Sequence, residues 1–251
     1  MLKIRRFLEY AKCSFCGKEE LSYRLQKFNK REYICYECRT CNTYSTKNNN
    51  EKGKKKDISF SFEFETSSRA KTLFELKKYG FIPCSDCTIE GFEWKTPIFN
   101  SRKSFHYVCR KIDKFAGCVG RSCGTHLHVS TPYKFLMEKY KVQLFSPILE
   151  VMKSDEDKTI KFWGRYFNDY CRSVIGTSRY NAFNTMSSVE TLEFRLLKFI
   201  NAEQYIRVAD FCIDTTRYIN SLIGRENFDS ESARLVGITI AEKYKEVIKD
   251  V

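Results

Sequence analysis

Proline, glycine and histidine are scarce in this chain, at 4, 11 and 3 of 251 residues. So little Pro and Gly excludes a collagen-like repeat or a Pro/Gly-rich disordered chain. Long apolar runs are also missing. None approaches the roughly 18–20 residues of a membrane span, which argues against an integral membrane protein. Met1-Leu-Lys-Ile-Arg-Arg6 leads into Phe7-Leu-Glu-Tyr-Ala-Lys12 with no apolar segment between, so no secretory signal is expected. Acidic residues are in the minority, 31 Asp+Glu against 44 Lys+Arg, for a formal net charge of +13.

Hydrophobic residues make up 42% of the chain and aromatics 15%, enough for one domain core plus a small module. Twelve Cys without a signal point to a reducing, cytoplasmic compartment, where paired Cys bind metal more often than they form disulfides. The charge is uneven. Residues 1–56 carry 15 Lys+Arg and 6 Asp+Glu, and residues 57–251 carry 29 and 25. Most of the excess therefore sits at the N-terminus, and it suits an acidic partner such as nucleic acid.

Three segments follow from composition. Residues 1–41 are Cys-rich and poor in aliphatic side chains. Residues 42–57 have almost no apolar residue and read as a basic polar linker. Residues 58–251 form the main domain. In the first segment Cys13-Ser-Phe-Cys16 and Cys35-Tyr-Glu-Cys38 give two CxxC pairs at zinc-ribbon spacing. Four thiolates suit a tetrahedral structural Zn²⁺. Cys41 offers an alternative fourth ligand. Arg24, Lys27, Lys30, Arg31 and Arg39 interleave with Tyr23, Phe28, Tyr33 and Tyr36, a surface for nucleic acid or for a protein partner. Cys84, Cys87, Cys118 and Cys123 are either a second zinc site or ordinary small core residues.

From Ile58 the period becomes two: Ile58, Phe60, Phe62 and Phe64 alternate with Ser59, Ser61, Glu63 and Glu65. Residues 67–79 read as a helix ending at Gly80. Further strands are expected at 91–95, 124–130 and 189–197, and helices at 132–152, 156–175, 203–222 and 230–249. Ala202-Glu-Gln-Tyr205 and Gly224 bracket the third of these helices. The domain is therefore α+β.

The polar faces of those strands carry the chemistry. Glu63 and Glu65 share a face, Glu93 lies opposite Phe92 and Trp94, His126 and His128 share a face with Ser130, and Thr191, Glu193 and Arg195 share another. If the strands form one sheet, several carboxylates and a His converge. That density of like charge calls for cations, and oxygen ligands favour Mg²⁺ or Mn²⁺.

In chain order, the segments Ser61-Phe-Glu-Phe-Glu-Thr66, Asp86-Cys-Thr-Ile-Glu-Gly-Phe-Glu-Trp-Lys-Thr-Pro97, Cys123-Gly-Thr-His-Leu-His-Val-Ser130, Arg179-Tyr-Asn-Ala-Phe-Asn184 and Thr191-Leu-Glu-Phe-Arg195 resemble the amidoligase family of glutamine synthetase-like carboxylate–amine ligases. The resemblance spans roughly residues 58–225. It implies an antiparallel sheet with one polar catalytic face and helices on the other. It also implies an ATP- and Mg²⁺-dependent ligase that forms an amide through an acyl phosphate, acting on small-molecule or peptide substrates or on a protein. By the same resemblance, two metals are held by Glu63, Glu65, Glu93 (with Glu90 beside it), His126 and Glu193. Arg195 contacts the transferring phosphate, and Arg179, Tyr180, Asn184 and His128 line the nucleotide or substrate end. The sequence departs from the family at Cys87, where Gly or Ser is usual, and at Lys95-Thr-Pro97, where a Ser-Pro-Pro type run is usual.

Two other readings stay open. Thr125-His-Leu-His-Val129 also resembles the His-hydrophobe-His motif of replication nicking endonucleases, with Tyr166 and Tyr170 one helical turn apart as nucleophiles. A non-catalytic zinc adaptor on a ligase-like scaffold is the other.

Overall fold

A computed structural model describes residues 58–66, 76, 79–84, 92–120, 123–186 and 189–251, together with four short strands within residues 10–34. Those four strands, β1 (Tyr10–Lys12), β2 (Glu19–Leu21), β3 (Gln26–Lys27) and β4 (Tyr33–Ile34), pair antiparallel as β1–β2 and β3–β4. Cys13, Cys16, Cys35, Cys38 and Cys41, the linker and nearly all of the helix expected at 67–79 lie outside the described residues.

The main domain is α+β. Strands β5 (Phe60–Thr66), β6 (Ile82–Cys84), β7 (Phe92–Lys95), β8 (Thr125–Ser130), β9 (Phe183–Asn184) and β10 (Thr191–Phe194) form one antiparallel sheet in the order β6-β7-β5-β8-β10-β9. Register puts Phe62 opposite Leu127, Phe64 opposite Trp94 and Phe194 opposite Leu127. The period-two alternation thus turns one sheet face predominantly apolar, with Thr66 taking the Trp94 indole N–H. Helices α1 (Arg102–Ile112) and α5 (Ala202–Ile223) bring Phe105 and Tyr205 to that face, with ring centroids 5.6 and 5.3 Å from Phe62. Phe199 meets Phe64 edge-on at 5.4 Å. Each such ring contributes roughly 1.5–3 kcal/mol by leaving water.

Three more helices, α2 (Lys134–Lys139), α3 (Lys141–Ser154) and α4 (Glu156–Trp163), lead into the β9 region, and α6 (Ser230–Val247) closes the chain. Side chains cap three N-termini: Asp155 accepts from Lys158 N, Asn201 from Gln204 N and Asp229 from Ser232 N. Each cap is worth about 1 kcal/mol. Helix α3 contains Pro147, which has no N–H to give the Gln143 carbonyl one turn back. That carbonyl faces Gly237 of α6, where an added Cβ would lie 2.2 Å from it. A proline on one helix and a glycine on the other thereby permit close backbone approach. No helix among the described residues is long and apolar enough to cross a membrane.

Two expectations are corrected. The helix expected at 132–152 breaks at Tyr140 into α2 and α3. The helix expected at 156–175 ends at Trp163, because Gly164 adopts a left-handed φ of 87°. A Cβ there would lie 2.6 Å from the Lys198 carbonyl, so the position demands glycine. Beyond it the chain is irregular, held by isolated bridges Asn168–Cys171 and Arg172–Asn181. Tyr166 and Tyr170 consequently do not share a helix.

Candidate metal centre

The alternation that builds the core also builds the site. Cross-strand partners on the face away from the core are Ser61–His128, Glu63–His126, Glu63–Lys95, Glu65–Glu93, Glu193–His128 and Glu193–Asn184. Four carboxylates, two imidazoles, Lys95, Asn184 and Arg195 therefore come from five adjacent strands and the residue after β10. Glu65, Glu93, His126, His128, Glu193 and Arg195 are all buried. Like charges directly opposite, as in Glu65–Glu93, destabilise a sheet unless cations intervene.

One group stands out. Ligand atoms of Glu63, His128 and Glu193 all lie within 4.8 Å of one another, as a single metal ion requires. His128 Nδ1 sits 3.3 Å from Thr191 Oγ1, which orients the ring. Its Nε2 is buried without a hydrogen-bond partner and lies 3.6 Å from Glu63 Oε1. A buried nitrogen so placed is costly in an apolar or polar core alike and suits a ligand aimed at a cation. Two carboxylate oxygens plus one imidazole make a donor set that could hold one divalent ion.

The surroundings hold the triad in place. Glu193 accepts from Asn184 Nδ2 and from Arg195 Nη1, both at 2.5 Å. Arg195 Nε donates to the Tyr170 carbonyl at 3.3 Å, and its guanidinium lies over the Tyr180 ring, 5.6 Å from the centroid. His126 Nδ1 is 3.4 Å from Glu63 and 3.5 Å from Glu193, and its Nε2 is 3.7 Å from Glu65. Glu65 accepts from the Gly124 backbone N–H at 2.5 Å. A Cβ on Gly124 would lie 2.9 Å from the Arg165 guanidinium, which in turn donates to the Arg195 carbonyl.

Charge in this face is strongly coupled. Burial alone would raise the Glu63 carboxyl, yet the His128 charge, the hydrogen bond from His126 and the His126 charge hold it well below the usual carboxylate range. Glu193 is likewise pushed up by burial but brought below its ordinary value by His128, Arg195 and His126. Burial would lower His128, and the Glu63 and Glu193 charges outweigh it to raise the imidazole. Glu93 is raised, by burial and by Glu63, with Lys95 only partly opposing.

Comparison with known protein families and with curated proteins returns no match.

Of the residues singled out in the sequence, Glu63, Glu65, Glu93, His126, His128, Asn184, Glu193 and Arg195 meet on this face. The metal-capable group takes His128, which the resemblance had placed at the nucleotide end, beside Glu63 and Glu193. Tyr180 reaches the site's edge under Arg195, and the exposed Arg179 also lies over its ring, 5.3 Å from the centroid. Cys118 is half-buried and Cys123 buried, and the side chains of Cys84 and Cys87 lie outside the described residues. Three residues were missed. Lys95 falls two positions after Glu93, so alternation already assigned it to this face. Gly124 sits beside the His-x-His strand. Arg165 had no signal, because it enters from the irregular segment after Gly164.

Proposed function

We propose that this chain is an ATP- and Mg²⁺-dependent carboxylate–amine ligase. The observation that carries the reading is the Glu63–His128–Glu193 group, whose buried, unpartnered His128 Nε2 sits among carboxylates with Arg195 bonded to one of them. A divalent ion held by these three residues would neutralise charge on the ATP phosphates. Arg195, fixed by Glu193 and the Tyr170 carbonyl, presents a cation to the transferring phosphoryl group. Asn184 and Thr191 keep Glu193 and His128 in their ligating orientations. In the proposed reaction the substrate carboxylate takes the γ-phosphoryl group and ADP leaves. The amine then displaces phosphate from the acyl carbon and loses a proton, giving the amide. The order of the five segments in the sequence supports this choice over other metal-dependent chemistries.

The N-terminal segment is proposed to hold structural Zn²⁺ at Cys13, Cys16, Cys35 and Cys38. The first CxxC falls between paired strands β1 and β2, and the second directly follows β4. Its basic and aromatic residues would serve a nucleic-acid or protein partner.

The test is Mg²⁺-dependent ADP release from ATP with a panel of amino acids, polyamines and peptides, for wild type beside Glu193→Gln. Turnover that needs both an acid and an amine, and is lost in the variant, is the expected result. No turnover with any member, together with metal-dependent cleavage of single-stranded DNA, would replace the ligase with a nicking enzyme.

A further inference from the structure

Lys95 occupies an unusual position for a residue beside a metal centre. Register places it opposite Glu63 and two residues beyond Glu93 on the same face. Its Nζ lies 3.1 Å from Glu63 Oε1 and 3.3 Å from Glu93 Oε1, and the side chain is 29% exposed. Glu63 Oε1 is also the oxygen facing His128 Nε2. One carboxylate oxygen thus looks toward the Glu63–His128–Glu193 group on one side and toward an ammonium on the other. An exposed Lys–Glu pair contributes little and holds no fixed geometry. This one spans two carboxylates on a largely buried face.

We propose that Lys95 is the resident second cation of this face: in the absence of nucleotide the site takes one divalent ion, at Glu63, His128 and Glu193, and the ammonium fills the gap between Glu63 and Glu93 that a second ion would need. The proposal rests on the metal-centre reading of the face and not on the ligase reaction. Sterically, a small divalent ion such as Mg²⁺ binds oxygens at about 2.0–2.1 Å, so it does not fit between two oxygens already bridged by an ammonium. Electrostatics point the same way. Glu63, Glu65, Glu93 and Glu193 face Arg195, Lys95 and, past Gly124, Arg165. Three side-chain cations thus already meet the four carboxylates before any ion binds. A second ion would set two further positive charges against Lys95. Removing the ammonium frees both oxygens and takes away that repulsion.

The experiment is a Mn²⁺ titration of the zinc-replete full chain without nucleotide, with free Mn²⁺ read by electron paramagnetic resonance. One tightly held ion per chain is expected for wild type. Lys95→Met and Lys95→Gln should each hold two, with circular dichroism confirming that the fold is kept. Two variants are used because either one alone could disturb the strand. Two ions in wild type, or one ion in both variants, would overturn the role of Lys95 while leaving the metal centre standing. No bound ion in wild type would overturn the metal centre itself.

Discussion

Substituting Glu193 by Gln should uncouple the metal centre from the fold. Glu193 supplies one of the three ligand atoms and one of the two ligand charges. Its carboxylate also accepts from Asn184 and Arg195. Gln keeps the shape but offers one acceptor and one donor. With its oxygen toward Arg195, its NH₂ meets the NH₂ of Asn184, which is held by the bond from Met186 N to Asn184 Oδ1 at 2.8 Å. Losing one charge-assisted bond costs about 1.5–3 kcal/mol in the metal-free protein, partly offset by less repulsion from Glu63. The larger effect is on ion binding. An ion at about 100 times its Kd stabilises the folded state by about 2.7 kcal/mol. In a domain of this size each kcal/mol moves Tm by about 2–4 °C, so saturating Mn²⁺ should raise the wild-type Tm by about 5–10 °C. Altering groups that merely support a ligand weakens metal sites by about 10–100-fold. Removing a charged ligand should reach at least the upper figure. At the same Mn²⁺ concentration the variant then gains about 0.4 kcal/mol, or about 1 °C. Differential scanning fluorimetry of zinc-replete wild type and variant, with and without Mn²⁺, measures both. Equal upward shifts in the two proteins would refute the assignment of Glu193 as a ligand.

Four further outcomes follow from the geometry. For the metal-free protein, His128 has a folded pKa above its unfolded value of about 6.5. Its contribution is complete below that value and is lost as pH rises through the folded pKa, so denaturation midpoints should fall above about pH 6.5; midpoints that climb through that range would contradict the coupling. Glu63 and Glu193, both lowered, contribute above about pH 4.3 and should lose that contribution as pH falls through their folded values, visible as acid destabilisation of wild type exceeding that of Glu193→Gln. Gly237→Ala should cost about 3 kcal/mol, at the upper end for overpacking, because its Cβ would strike the Gln143 carbonyl of a proline-containing helix; urea denaturation of the variant gives the value, and a cost under about 0.5 kcal/mol would refute the close contact. Cys171, fully buried with its thiol pushed up to about 11, should resist iodoacetamide at pH 8 until the chain is unfolded, which peptide mass mapping would show; rapid native labelling would refute its burial.

Most of the sheet was legible because a strand's side-chain period is two and each strand had one face to bury. Phe60, Phe62 and Phe64 alternate with Ser61, Glu63 and Glu65, and no other register satisfies both the core and the polar face. The long C-terminal helices were legible from their apolar stripes, and their caps moved the bounds by only a residue or two. The stretch after Trp163 was not. Its apolar residues mimic helical spacing, but Gly164 reverses the chain, and what determines that turn is contact with Lys198, 34 positions away. Tertiary contact of that kind leaves no local periodic trace.

The site was legible for the same reason as the sheet, and that bears on why it was built there. Residues at i and i+2 on one strand share a face whatever else the fold does, so Glu63 with Glu65, His126 with His128, and Glu193 with Arg195 were bound to project together once the strands formed. What alternation cannot state is which strands are neighbours. Placing β5 and β10 on either side of β8 converts three separate pairs into one cluster, with the His-bearing strand between the two acidic ones. An order that set β5 directly beside β10 would have put carboxylate against carboxylate across the ladder with no imidazole between them. The same logic explains Lys95. On the other flank of β5, β7 brings Glu93 opposite Glu65, and it is on that flank, two residues along, that the strand carries its own cation. The strand order thus separates like charges on one side with histidines suited to a metal, and on the other with a lysine.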